Sequence, residues 1–401
     1  MHSLPELRRT PFHERTSQLC LAQNWRRWAG YLVAGSYDLT LDREYWAIRN
    51  AAALIDVTPL MKYSITGSDA ARLLNRVTTR NIDKLAVGQV CYTTWCDEDG
   101  KVIDDGTVSR LDESRFRLTS AEPSLRWLLM NAVGLDVQVR DVTDEIAALS
   151  LQGPNARAVL DLCCSTPIDS LRYFRWMQNA IDGTALTISR TGYTGDLGYE
   201  LWMDASKALP VWDTLMRAGH DYGIAAVGIL AMDIARVEAG LFMLEVDYTS
   251  SAHAWIAAQK SSPFELGLDW SVHLDKPGYF VGRRELEREK REGSAWRLMG
   301  LEVDWPGMEK LFARVGLPPQ ILGAAVRASL PIFHGSAQVG YASTATWSPL
   351  LKKYIALAHL QKPYFQVGTR VRMEITVEHQ RLHAPAHVVD LPFYEPEWKK
   401  K

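Results

Sequence analysis

The sequence predicts an α+β protein that ends in a separate antiparallel β-barrel. Three observations predict it. Strand-like and helix-like segments alternate with short links up to residue 293; from Trp296 onward successive strands are separated by glycine turns; and 401 residues suffice for two or three domains with sizeable cores.

Residues 1–30 mix basic and apolar groups and predict only short helical pieces. The segment from Leu41 has Tyr45, Ile48 and Ala52 at helical spacing and predicts a helix ending before Ile55. Lys62–Thr66 reads as a strand, and Gly67-Ser68 opens a helix with Ser68 as N-cap and Ala71, Leu74 and Val77 on one face. Arg115–Thr119 is a strand, and Pro123 starts a helix through Trp127 and Leu128. Ile146–Leu151 alternates as a strand, and Gly153-Pro154 leads into a helix over Ala156–Leu162. Strands follow at Ala185–Arg190 and Tyr199–Met203, then helices over about Ser206–Tyr222 and Gly228–Gly240. Phe264–Leu268 predicts a further strand, and Val281–Glu285 opens a charged helix with opposite signs near i,i+4, a solvated face. In the last section Leu298–Val303, Gln338–Ala345, Ile355–His359 and Val371–Val377 predict barrel strands.

The totals exclude several function classes. Apolar residues make up 47% and charged residues 23%, the balance of an ordinary globular protein, and a net charge of −2 gives no general electrostatic case for nucleic acid. The five cysteines form an odd set without a CxxC repeat, which fits a reducing compartment, and Cys163-Cys164 at a helix end reads as buried, inert thiol. No N-terminal apolar core with a cleavage site is visible, and no run approaches the ~20 apolar residues of a membrane helix. The expected address is the cytoplasm. His379, His383 and His387 recur every fourth residue, but Pro385 and a strand-like context argue against a helical metal site, so no metal is expected.

The stretch with most chemistry is Cys91–Arg110, CYTTWCDEDGKVIDDGTVSR, two β-branched and aromatic runs around an acidic-Gly turn, which predicts a hairpin. Its returning strand carries Asp104 and Asp105, whose side chains must point to opposite faces. One of them is sent to a covered face, where a carboxylate needs hydrogen-bonding or cationic company. A second constellation is TGYTGDLGYE, with Tyr193 and Glu200. Its glycines mimic a nucleotide loop, but the loop joins strand to strand and offers no helix N-terminus to a phosphate.

These two stretches resemble the glycine-cleavage T-protein (aminomethyltransferase) superfamily. Further matches occur in family order: LRRTPFHE, SDAARLLNRVTTRNI, LSLQGPNARAVL, MDIARVEAGL, SPFELGLDW, YFVGRREL and SPLLKKYIALAHL. The resemblance implies a three-domain ring around a central folate cleft. Residues 1–57 and 145–240 would form its first domain, 58–144 and 241–293 its second, and 294–401 the barrel. It also implies tetrahydrofolate as cofactor, with Asp105 as the catalytic carboxylate beside N5, and with Tyr92, Tyr193 and Glu200 as folate-binding residues. A carboxylate such as Glu200 suits the pterin's guanidine-like edge because it accepts two parallel N–H bonds.

The chain also departs from that family. Where aminomethyltransferases carry an Arg before the Asp of the helix ending in Arg-(Leu)-Glu-Ala, it has Met232 before Asp233; their Ser-His is replaced by Thr58-Pro59; and an insertion spans Asp247–Ser262. LRRTPF, DREYWAIR and the terminal VDLPF are similar to the dimethylsulfoniopropionate demethylase branch. The expectation is therefore a tetrahydrofolate-dependent demethylase that takes a methyl group from a small S-, N- or O-methylated substrate, with Tyr37, Trp95 and Trp176 offered for substrate binding because aromatic faces attract onium groups. The alternatives are a glycine-cleavage aminomethyltransferase needing a lipoyl carrier protein, and a non-catalytic folate-binding protein. Pairing into a homodimer stays open.

Overall fold

The computed structural model describes residues 7–400, so the first six residues of the N-terminal stretch lie outside the described range. The chain forms two compact units: Met1–Thr93, Asp104–Met232 and Pro396–Lys401 in the first, and Thr94–Ile103 with Asp233–Glu395 in the second. Among the described residues no helix is long and apolar enough to cross a membrane.

The first unit is built on mixed α+β layers. A six-stranded sheet runs in the order Trp176–Ile181, Thr184–Ser189, Gly198–Asp204, Ile146–Gln152, Ala52–Asp56, Ile224–Ala226. Alternation divides it cleanly. Leu149, Leu151, Leu186, Ile188, Tyr199, Leu201 and Met203 join one core with Val159 and Leu160 of the Ala156–Cys163 helix and Val211, Trp212 and Leu215 of the Ala208–Ala218 helix. Burying each such large apolar side chain contributes roughly 1.5–3 kcal/mol. The opposite face is polar, with Ser150 opposite Glu200 and Thr187 opposite Trp202.

A five-stranded sheet runs Val90–Cys96, Val102–Arg110, Arg115–Ser120, Met61–Thr66, Gln138–Asp141. Tyr63, Ile65, Val108, Phe116 and Leu118 are buried on one face. The registers Ser64–Arg117–Ser109 and Lys62–Thr119–Thr107 place a polar row on the other. Lys62, with no exposed surface, donates to the carbonyls of Thr58 (2.6 Å) and Thr143 (3.2 Å). Burial pulls its pKa down to about 8, against the opposing pull of Asp56. Because the folded-state value lies below that of the unfolded lysine, the unfolded chain binds more protons between the two, and stability rises with pH from about 8 to ~10.4. Lys62→Met is expected to flatten that rise in denaturation midpoints measured across this window.

The second unit holds a closed barrel of six strands in the order Trp296–Val303, Lys353–Gln361, Ala337–Ser348, Leu330–His334, Arg370–Val377, Gln380–Val389. The four expected strands are there, and the sequence reading missed Leu330–His334, Gln380–Val389 and the Trp305–Ala313 helix that caps the core through Met308, Leu311 and Phe312.

Several local expectations are corrected. Asn24–Trp28, in the 1–30 stretch where only helical pieces were expected, is a strand that forms a hairpin with Tyr31–Ser36. Ser68 does not cap the Ala70–Val77 helix; its hydroxyl donates to Asp136 at 2.6 Å, and Asp69 takes the N-cap position. Phe264–Leu268 is a pair of turns, because Pro263 lacks an N–H for a ladder and Gly267 sits at φ +74°. The expected helix over 206–222 breaks into a short 3₁₀ turn, Ala208–Ala218, and a second 3₁₀ turn. Cys163 and Cys164 are partly rather than fully buried, packed against the core of the six-stranded sheet. His383 stacks on Phe333 at 4.5 Å and His387 lies 3.5 Å from Glu302, each engaged with a barrel neighbour of its own.

Candidate active site

The hairpin forms as its residues dictate, over Val90–Cys96 and Val102–Arg110. In its turn, Asp97 accepts the amides of Asp99 (3.1 Å) and Lys101 (2.9 Å), and Gly100 takes φ +71°. The adjacent acids then separate. Asp104 is 1% exposed and accepts the backbone N–H of Asp105 (2.7 Å) and of Glu122 (3.0 Å). It is the deeply buried member of the pair, and burial followed by the neighbouring Asp105 charge raises its pKa well above the carboxylate range. Asp105 is half-buried on the other face, where its carboxylate accepts the Tyr92 hydroxyl at 2.9 Å. Burial and then Asp105 keep the Tyr92 phenol protonated far above its usual range, and Tyr193 is close enough to add to that effect. The structure thus brings Tyr92, Asp105 and Tyr193 together.

Glu200 stands on the polar face of the six-stranded sheet, next to Trp202 on the same face. Its carboxylate accepts the Thr191 hydroxyl at 2.5 Å. Burial raises its pKa, while Thr191 and Arg117 act in the opposite direction. Arg117 is a residue the sequence reading missed. It reaches from the polar face of the five-stranded sheet to lie 4.3 Å over the Trp202 ring and to donate to Thr187 at 3.3 Å. Burial lowers its pKa to about 10 against the attraction of Glu200, and its Nε is buried without a partner. The basic residue between Phe116 and Leu118 was a visible signal, but alternation does not say which sheet it meets.

The glycine loop is shaped by close approach as much as by backbone conformation. A Cβ on Gly198 would lie 2.1 Å, and one on Gly192 2.2 Å, from the Gln152 side-chain oxygen. Gly195 takes φ +77°. Gln152 in turn accepts the Thr194 hydroxyl at 2.8 Å, so the loop is stitched to the strand beside Glu200.

The three aromatic residues offered for substrate binding differ in their surroundings. Tyr37 is 5% exposed and belongs to a small cluster with Cys20 and Ala34. Trp176 sits on the edge strand, half-buried, its indole donating to the Arg110 carbonyl at 2.9 Å. Trp95 is 1% exposed, its indole N–H has no partner, and it lies in the Thr94–Ile103 part of the second unit.

The donor set fits a reduced pterin. For such a ring Asp105 and Glu200 would offer acceptors to ring and amino N–H groups, Tyr92 and Tyr193 would offer aromatic faces, and the buried Arg117 Nε is an unspent donor. Among the described residues no group of three or more His, Cys, Asp or Glu is arranged to hold a metal ion.

Comparison with known proteins shows the family. The sequence profile of the GCVT N-terminal domain matches residues 13–276, and that of the glycine cleavage T-protein C-terminal barrel domain matches residues 313–395. The chain belongs to the glycine-cleavage T-protein family. It is 32% identical to an aminomethyltransferase of Bacillus pumilus over 89% of this chain and 91% of that one. It is also 32% identical to a trimethylamine-oxide aldolase of Ruegeria pomeroyi over 97% of this chain, spanning about half (47%) of that longer protein. The fold matches the glycine cleavage system aminomethyltransferase T of Bartonella henselae with a TM-score of 0.81 over 97% of this chain and 98% of the other, at 23% identity.

Proposed function

We propose that the protein is a tetrahydrofolate-dependent methyltransferase. It would move a methyl group from a small S-, N- or O-methylated substrate to N5 of tetrahydrofolate, giving 5-methyltetrahydrofolate. The observation that carries this reading is the Asp105–Tyr92 pair, a half-buried carboxylate held at 2.9 Å by a phenol that stays protonated, on the face that also carries Arg117. Tetrahydrofolate, when bound, supplies a nucleophilic secondary amine. Asp105 orients such an amine by accepting its N–H and offsets positive charge as the nitrogen is alkylated, an effect strengthened where water is scarce. Tyr92 fixes the rotamer of Asp105, and Glu200 accepts the guanidine-like edge of the ring.

The departures Met232 and Thr58-Pro59 support a donor other than an aminomethyl group on a carrier protein. In this structure Thr58 serves the fold, its hydroxyl bridging the Ala148 carbonyl and amide at 3.3 and 3.2 Å. Aminomethyl transfer is the second reading, favoured by the similarity to the aminomethyltransferase of Bacillus pumilus. The deciding experiment incubates the protein with tetrahydrofolate and a panel of methylated sulfonium, ammonium and methoxyaryl compounds, with mass spectrometry for 5-methyltetrahydrofolate. A parallel arm supplies an aminomethyl-loaded lipoyl carrier protein and assays methylenetetrahydrofolate and ammonia. Product in the second arm alone would replace the methyltransferase reading with the aminomethyl one.

Glu200 makes a pH-dependent prediction. Only its ionised form accepts two N–H bonds, and its pKa is raised by burial, so tetrahydrofolate affinity falls as pH drops through that raised value. Titration calorimetry across pH should show this loss in the native protein, and Glu200→Gln should bind about tenfold or more weakly with the Glu200-linked pH step gone.

A further inference from the structure

We propose that the Pro396–Lys400 segment is a strap that holds the glycine loop in its ligand-binding conformation, with Trp398 as a positioning residue for Tyr193 and Glu200. The ligand part of this inference rests on the pterin-site reading above. At Pro396 the chain rejoins the first unit, where it contacts the Thr191–Gly198 loop at Asp196 and the residue just before that loop, Arg190. At the far end of the loop, the Trp398 indole N–H donates to Asp196 Oδ1 at 2.8 Å. Asp196 is 4% exposed, and the same oxygen accepts the Leu197 amide at 2.9 Å. Its other oxygen faces the Arg49 guanidinium at 3.4 Å, which also donates to the Thr194 carbonyl at 2.8 Å. At the near end, Arg190 is 3% exposed and donates to the Lys399 carbonyl at 3.2 Å and to the Leu171 carbonyl at 3.3 Å. The Lys399 ammonium lies 5.9 Å over the Tyr173 ring on the same side.

The chemistry separates this strap from ordinary packing. Trp398 is 48% exposed, so it contributes little to a core, and its specific contact is one charge-assisted hydrogen bond to a buried carboxylate. That carboxylate sits three residues after Tyr193 and four before Glu200. Removing the indole leaves Arg49 and Gln152 holding the loop, so the fold persists while Asp196 loses one of its restraints.

Two variants and one truncation test the strap: Trp398→Phe, which keeps an aromatic ring but has no N–H, Trp398→Ala, and a chain ending at Glu395. The first readout is hydrogen–deuterium exchange of amides 191–198 without ligand. Exchange there should rise about tenfold or more in Trp398→Ala and in the truncated chain, and by most of that amount in Trp398→Phe. The second is tetrahydrofolate binding by titration calorimetry, where Kd should rise about tenfold while the melting midpoint moves by no more than ~2 °C. Unchanged exchange at 191–198 in Trp398→Phe and Trp398→Ala overturns the strap whatever the ligand data show. Faster exchange with an unchanged Kd overturns the positioning role. A native protein that binds no tetrahydrofolate sinks the pterin-site reading instead, and the exchange data alone then decide the strap.

Discussion

Asp105→Asn is expected to cut turnover on the order of 10²–10³-fold while leaving tetrahydrofolate binding within about threefold of the native protein. Asn has the same shape, and its carbonyl oxygen still accepts the Tyr92 hydroxyl that sits at 2.9 Å from Asp105. What it loses is the negative charge, which matters only when a nitrogen becomes cationic during alkylation. The loss therefore falls on kcat more than on KM. Tyr92→Phe should cost less, because it frees the carboxylate to rotate without removing it. Asp104→Asn is the control: that side chain caps the Asp105 and Glu122 amides from the other face, so its substitution should lower stability and leave kcat within about tenfold. Single-turnover measurement of 5-methyltetrahydrofolate formation with saturating folate distinguishes the three. Native-like turnover in Asp105→Asn would remove this carboxylate from the mechanism.

The contrast between these neighbouring acids shows how far the sequence could be read. Strand alternation states that Asp104 and Asp105 face apart; it does not say which face is covered by the chain itself. That depends on Glu122, eighteen residues on, whose amide needs an acceptor. Asp105, Tyr92, Tyr193 and Glu200 were singled out by motifs around two turns, where the chemistry is local, and the structure brings the first three together. Arg117 and the Asp196–Trp398 bond were not, because each joins segments 70 or more residues apart whose meeting is decided by sheet packing. The same limit explains the fold. The successive apolar-rich segments from Leu298, Gln338, Ile355 and Val371, set off by glycine turns, announced barrel strands. Asn24–Trp28, with Arg26 and Arg27 inside it, lacks that composition and becomes a strand only by pairing with Tyr31–Ser36.

The inserted stretch that begins at Asp247 makes the prediction with the largest expected effect on stability. Asp247 is 1% exposed and gathers an unusual number of donors. One carboxylate oxygen accepts the hydroxyls of Ser343 (2.6 Å) and Thr344 (2.7 Å); the other accepts the Met243 amide at 2.8 Å and pairs with the guanidinium of Arg236. Neighbours such as Ser343 and Thr344 ordinarily point to opposite faces of a strand. They reach one carboxylate because the register with the Lys353–Gln361 strand shifts between Ala342 and Thr344, a bulge that turns both hydroxyls the same way. Arg236, with no exposed surface, also binds Asp233 and Thr344, at 2.8 and 3.0 Å, and Asp233 binds Arg327 at 2.8 Å. The Asp247 carbonyl meets His359 Nε2, so the insertion is bolted to the barrel wall from its first residue. Asp247→Ala leaves the buried Arg236 to Asp233, a carboxylate already shared with Arg327, and takes an acceptor from the Ser343 and Thr344 hydroxyls, so it is expected to cost about 3–5 kcal/mol. Asp247→Asn keeps most acceptor positions but loses the charge, and should fall between the two. Urea unfolding followed by a probe in the second unit checks this, because the two units need not unfold together. A loss below about 1 kcal/mol for Asp247→Ala would mean that the bulge and its hydroxyls are held by the barrel alone.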